Sequence, residues 1–250
     1  MNLDDLKKNW DRFGKEDPYW AVLTDPKMKG NNWDEEEFFT SGLHTIQREV
    51  KKIKRMHPDF TFQSALDFGC GVGRLTQSLA QFFDEASGVD IAPSMIKLAN
   101  EKNNRENCKF FLNDKNDLSL FGDEEFDFVY SIITLQHMQP KYSKNYISEF
   151  LRVLKPNGIL IFQIPSKPDL GTLIYHNPLN KLRRKIGSFL TFGKKKHKAP
   201  IMEMYWIPIK EMVSFLNKNG AQIIEIKEND AAGDEWDSFT YKVSKLPKSN

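Results

Sequence analysis

The stretch Ser64 to Ala80, SALDFGCGVGRLTQSLA, constrains the fold more than any other part of the chain. A short apolar run through Ala65, Leu66 and Phe68 meets three alternating glycines, Gly69, Gly71 and Gly73, and then Leu75, Leu79 and Ala80 recur at helical spacing. That order predicts a strand, a tight loop and a helix. Glycine at every second position lets the backbone take positive φ and lets a ligand approach without meeting a Cβ. The first turn of the helix points unpaired N–H groups at the same spot. A loop built this way accepts something small, polar and partly negative.

Spacing narrows the ligand. A dinucleotide fingerprint G-x-G-x-x-G begun at Gly69 needs a third glycine where this chain has Arg74, which argues against a nicotinamide site. A P-loop fails as well, because no Gly-Lys-Ser/Thr closes the loop. Asp67 at the strand end sits poorly beside a pyrophosphate, but suits a ligand with an ammonium group and a sulfonium.

With 250 residues, 40% hydrophobic and 28% charged, the chain is long enough for one main α/β domain with additions at its ends or in its loops. A formal net charge of +2 is too small to imply nucleic acid. The start, MNLDDLKKNW, is acidic and polar where a signal peptide is basic and then apolar, and no apolar run reaches about 18 residues. The expectation is a cytoplasmic protein. Cys70 and Cys108 form neither a metal-ligand spacing nor a disulfide framework, so no metal is expected.

Residues 1–33 hold Trp10, Trp20 and Trp33 with Phe13 and Tyr19, too aromatic for a disordered arm. Large aromatics serve as structural cladding or as a cover over a ligand site; residues 1–58 are read as a segment and helix covering the site. Asp34 with Glu37 three residues on forms a capping box for a helix to about Met56, with Phe38, Ile46, Val50 and Ile53 inward, broken at His57-Pro58. After the glycine loop the spacing predicts a helix through Phe83, a strand Ala86 to Ile91, a helix opened by Pro93, a strand Lys109 to Asn113 and a buried strand Phe126 to Ile133. A helix Tyr146 to Leu154, a turn Lys155 to Gly158 and a strand Ile159 to Ile164 follow, then a helix Pro208 to Asn219 and strands Ala221 to Lys227 and Phe239 to Ser244. Ligands of such sheets sit outside the carboxyl ends of the strands, where Asp67, Asp90, Asp114 and Thr134 to His137 fall. Strand-end acids about 20 residues past such glycines bind ribose hydroxyls in nucleotide-type sites, which suits Asp90.

Residues 167–200 interrupt the pattern with nine Lys or Arg against one acid, Asp169. Leu179, Leu182, Ile186, Phe189 and Leu190 recur at helical spacing, so the insert can form a basic amphipathic helix. An apolar stripe beside basic residues permits a lid, a peripheral membrane contact through 178–198 or a solvated loop.

The glycine loop, VDIAPSMI, FFLNDKNDL, FDFVYSIITLQHM and LRVLKPNGILIF together resemble the class I S-adenosylmethionine-dependent methyltransferases over roughly Gln63 to Ser244. The resemblance implies a Rossmann-like three-layer sandwich over 59–250, with a seven-stranded mostly parallel sheet and an antiparallel last strand. It implies S-adenosyl-L-methionine as cofactor, with Gly69, Cys70, Gly71 and Gly73 around the methionine part and Asp67 near its amino group. Asp90 would bind the ribose, Ile91 and Met95 would flank the adenine, Asp114 would face the adenine amino edge with Lys115 beside it, and Ser131 would complete the cofactor set.

Methyl transfer from a sulfonium is an in-line displacement that aligns three atoms and needs no metal. His137 is the candidate base, since a neutral imidazole is available near pH 7. Tyr19, Trp20, His176 and Trp206 are candidate substrate contacts. The expected reaction is methylation of a small organic acceptor, O-linked in preference to N-linked. The rivals are a lipid or lipid-linked acceptor and a non-catalytic cofactor-binding interaction protein.

Overall fold

The computed structural model describes residues 1–168 and 199–246. The insert's residues 169–198, with His176 and the 178–198 stretch, lie outside the described residues. Seven strands, β1 (Ser64–Phe68), β2 (Glu85–Asp90), β3 (Cys108–Leu112), β4 (Phe126–Ser131), β5 (Leu154–Pro168), β6 (Ala221–Asn229) and β7 (Trp236–Lys245), form one sheet ordered β3-β2-β1-β4-β5-β7-β6. The first five are parallel, and β7 runs antiparallel to both β5 and β6. Strand order reverses between β1 and β4, so a crevice opens there at the carboxyl ends.

Alternation along the strands builds two cores. Leu66, Val129, Leu160 and Phe162 face α6 (Pro140–Val153) and α7 (Ile209–Lys218). Ala65, Phe128, Tyr130, Ile159 and Ile161 face α3 (Glu35–Met56) and Ala99 of α5 (Pro93–Glu101) on the other side. Successive side chains of a strand point to opposite faces; β4, buried at all six positions, reads as continuous apolar sequence because helices cover both faces.

The long helix α3 begins where expected: Asp34 accepts from the Glu37 N–H, Phe38, Ile46, Val50 and Ile53 are buried, and His57 ends it. Two shorter helices precede it, α1 (Leu3–Glu16) and α2 (Pro18–Val22). α1 lies across the carboxyl ends of the strands. Asp11 accepts from the Ser94 N–H at 2.8 Å, Lys7 pairs with Asp114 at 2.8 Å, and the Met1 ammonium reaches Glu203 at 2.6 Å.

Three elements differ from the sequence reading. The helix after the glycines reduces to a single turn, α4 (Thr76–Leu79), with i→i+3 bonds from Gln81 and Phe82 behind it. Ser78 Oγ bonds back to the Arg74 carbonyl and Thr76 Oγ1 turns to Asp67, and such side-chain bonds compete with a helix. α6 starts at Pro140, six residues before Tyr146, because proline at the first helical position begins a helix readily. The Lys155 to Gly158 turn is a bulge inside β5: Asn157 takes φ 63 and the pairing with β4 shifts between Phe126 and Phe128.

Candidate functional site

The loop after β1 is tied to the next strand. Gly69 and Cys70 N–H groups donate to the Val89 carbonyl at 2.8 and 3.0 Å, and the Gly71 N–H donates to Asp90 Oδ2 at 2.9 Å. Asp90 Oδ1 accepts from the Ala92 N–H at 2.8 Å, so one carboxylate fixes the glycine loop and the entry to α5. Burial pushes its carboxyl up, against the pull of these N–H donors. Each carboxylate oxygen has a second lone pair, leaving Asp90 able to accept from hydroxyl groups in the cavity it lines.

Above this floor the carboxyl ends of the strands and α1 line a partly open cavity. Asp67 lines it, 2% exposed, accepting from Thr76 Oγ1 at 2.7 Å, with burial raising its pKa to about 6. Ile91 and Met95 line the same cavity, an apolar strip beyond Asp90. Cys70 lines it too, but burial pushes its thiol up well above the usual range, which suits a packed loop residue rather than a nucleophile.

His137 also lines the cavity, in a short 3₁₀ turn Leu135–His137. Its Nδ1 lies 3.0 Å from the Glu203 carbonyl oxygen, which only accepts, so Nδ1 carries the proton and Nε2 is the acceptor. The Gln136 amide nitrogen stands 3.3 Å from Nε2; Gln163 Nε2 donates to Gln136 Oε1 at 2.9 Å, and Gln163 Oε1 takes the Ile133 N–H at 3.0 Å. This buried chain sets the tautomer. It also holds Ile133 at φ 60, a left-handed conformation costly for a β-branched residue, in the cavity wall. Burial pushes the His137 imidazole down to about 4.

Other residues fall elsewhere. Asp114 is exposed, held below the usual carboxylate range by Lys7, and with Lys115 lies outside the cavity. The polar side chain facing inward is its neighbour Asn113, buried, with its amide donating to the Asp117 carbonyl at 2.7 Å. A one-residue shift at a strand end moves a side chain to the opposite face. Ser131 is fully buried and ties β4 to β1 through the Phe68 carbonyl at 3.0 Å, not lining the cavity.

Tyr19 stacks on Phe38, Trp20 packs near Phe13 and Trp206 packs on Trp236; none of the three lines the cavity. Trp10 of α1 does line it, its ring 5.0 Å from His137, together with Phe68 and Tyr146. Leu3, Leu6, Trp10 and Phe13 recur at helical spacing, and that period is the signal for α1 as a wall of the site. Arg74, in the position that breaks the dinucleotide fingerprint, also lines the cavity.

The two buried titrating groups oppose each other. His137, with its folded pKa below the unfolded 6.5, adds stability that is complete above pH 6.5 and lost as pH falls toward about 4. Asp67, raised from 3.8 to about 6, adds stability that is complete below 3.8 and lost as pH rises through about 6. In Asp67→Asn, the ligand-free protein is expected to lose stability from pH 6 to pH 4 more steeply than wild type, by about 1 kcal/mol per pH unit. Urea midpoints across that window read the slope; equal slopes contradict the assignment.

Among the described residues, no helix is long and apolar enough to cross a membrane, and no cluster of His, Cys, Asp or Glu is arranged to hold a metal ion. Residues 66–162 match the family described as a methyltransferase domain. That stretch runs from the glycine loop into β5, and the seven-stranded sheet with its antiparallel last strand has the Rossmann-like methyltransferase fold. The chain is 26% identical over 156 residues to trans-aconitate 2-methyltransferase of Deinococcus radiodurans, an alignment covering 61% of this chain and 58% of that protein. It is 31% identical over 141 residues to sterol 4-C-methyltransferase strm-1 of Caenorhabditis elegans, covering 54% and 38%. The chain thus spans about half the length of these curated relatives. The fold matches magnesium protoporphyrin IX methyltransferase of Synechocystis with bound S-adenosylhomocysteine at TM-score 0.65 and 19% identity, over 98% of this chain and 100% of that one.

The cavity's chemistry fits an adenosyl sulfonium ligand. Two carboxylates, Asp67 and Asp90, the apolar Ile91 and Met95, and Asn113 all line the cavity.

Proposed function

We propose that this protein is an enzyme that transfers a methyl group from S-adenosylmethionine to a small organic acceptor, a hydroxyl oxygen in preference to nitrogen. The observation that carries the reading is that a neutral histidine of fixed tautomer, His137, and the Trp10 ring line the same cavity as Asp67 and Asp90. When bound, the cofactor supplies an electrophilic methyl on a positively charged sulfur. Asp67 opposes the charge of its amino-acid ammonium, and Asp90 accepts from the ribose hydroxyls. Ile91 and Met95 cover the adenine, and Asn113 offers the amide at its edge.

Trp10, Leu3 and Leu6 shield the acceptor side from water, and an apolar wall of this kind suits an organic acceptor. A hydroxyl oxygen gains positive charge as it takes a methyl, so its proton becomes strongly acidic and a weakly basic imidazole suffices to accept it at Nε2 once the Gln136 amide that meets this nitrogen in the ligand-free protein gives way. The Nδ1 bond to Glu203 holds the ring in place and spreads the resulting charge.

Asp90→Ala is expected to weaken binding of S-adenosylhomocysteine by roughly 1–3 kcal/mol, the range for losing hydrogen bonds to a charged group. Turnover of methyl-labelled cofactor against a panel of hydroxylated metabolites tests the reaction: label in a product supports it, and tight binding with no transfer to any acceptor contradicts it.

A further inference from the structure

Arg74 follows the third glycine of the loop, and its side chain runs against α3. Gly42 of α3 makes room for it: a Cβ there would come within 2.6 Å of the Arg74 carbonyl oxygen and 2.9 Å of its Cγ. Arg74 is 7% exposed. One of its nitrogens donates to Ser41 Oγ at 3.1 Å, the group lies 5.8 Å from the Phe38 ring, and its Nε has no hydrogen-bond partner. Among the described residues no carboxylate comes within ion-pair distance. A buried cation with five donors and so few partners is expensive. It lines the cavity beside Gly71 and on the side of Asp67, whose charge supports it from a longer range.

We infer that Arg74 is an anion-binding residue of the cavity, and that its guanidinium holds the α-carboxylate at the amino-acid end of the methyl donor. The inference rests on the proposed cofactor reading and deepens it. That end of the ligand is a zwitterion, and the loop meets it with one buried carboxylate and one buried guanidinium, Asp67 and Arg74. A guanidinium matches a carboxylate with two parallel N–H donors. Burial strengthens the pairing, and the unpartnered Nε gains an acceptor.

The test compares two ligands differing only in the carboxylate: S-adenosylhomocysteine and its decarboxylated analogue, which keeps the ammonium group. Calorimetry on the full chain is expected to find the wild type preferring the first by about 10- to 100-fold, the range for a charged hydrogen-bonded pair. In Arg74→Met that preference collapses toward one, with affinity for the analogue unchanged, and in Arg74→Lys part of it returns. An equal loss for both ligands, or an undiminished preference, overturns the inference and leaves Arg74 as a clamp between the loop and α3. Should Arg74→Met fail to fold, Arg74→Gln and Arg74→Lys carry the same comparison. A wild type that binds neither ligand contradicts the cofactor reading itself.

Discussion

Gly69→Ala is expected to destabilise the protein by about 2–5 kcal/mol. Gly69 holds φ 79, where an L side chain costs about 1–2 kcal/mol, and a Cβ there would overlap Oγ1 and Cγ2 of Thr134, an overpacking cost of about 1–3 kcal/mol. Thr134 stands in the cavity wall three residues before His137, so the strain passes into the acceptor side. The two costs separate in a Thr134→Gly background, where the overlap is gone and the φ cost remains. Urea unfolding of the four proteins is expected to show Gly69→Ala losing less in that background than alone. A loss below about 1 kcal/mol in the wild-type background would mean that the loop relaxes and does not hold its shape.

The second large effect is on chemistry. His137→Gln keeps a donor for the Glu203 carbonyl and removes the proton acceptor, so turnover is expected to fall roughly 100- to 10,000-fold, the usual contribution of a positioned base. Affinity for S-adenosylhomocysteine is expected to stay within about twofold, because the residues proposed to hold the cofactor are left unchanged. With the imidazole pushed down to about 4, wild-type turnover is expected to show no acid limb near the ordinary histidine value. Turnover that survives the substitution removes His137 as the base.

Much of the architecture was legible because local and global signals agree. The apolar run before the glycines, the cap at Asp34, the proline opening α5 and the helix-free link between the last strands each specify one local structure. The strand order and reversed final strand needed the family resemblance, since pairing partners far apart in sequence leave no local trace. Asp67 and Asp90 were legible as strand-end acids and both line the cavity. Asp114 was not, because choosing between it and Asn113 depends on which strand face each occupies.

The acceptor side was the least legible. Trp10, Tyr146 and Arg74 reach the cavity from three separate parts of the chain, and aromatics in a polar N-terminal stretch do not announce which of them points inward. Trp20 and Trp206 look equally suitable in sequence but pack against Phe13 and Trp236. The Gln136 and Gln163 chain behind His137 was also invisible: an amide within an apolar strand such as GILIFQIP carries no periodic signal, and its partners come from three strands or loops.

Equilibrium dialysis of the purified chain against radiolabelled S-adenosylmethionine tests the central claim most directly. The expected result is close to one bound molecule per chain, displaced by S-adenosylhomocysteine and not by a nicotinamide dinucleotide. Retention of no label at millimolar ligand, or displacement by the dinucleotide instead, would contradict the account.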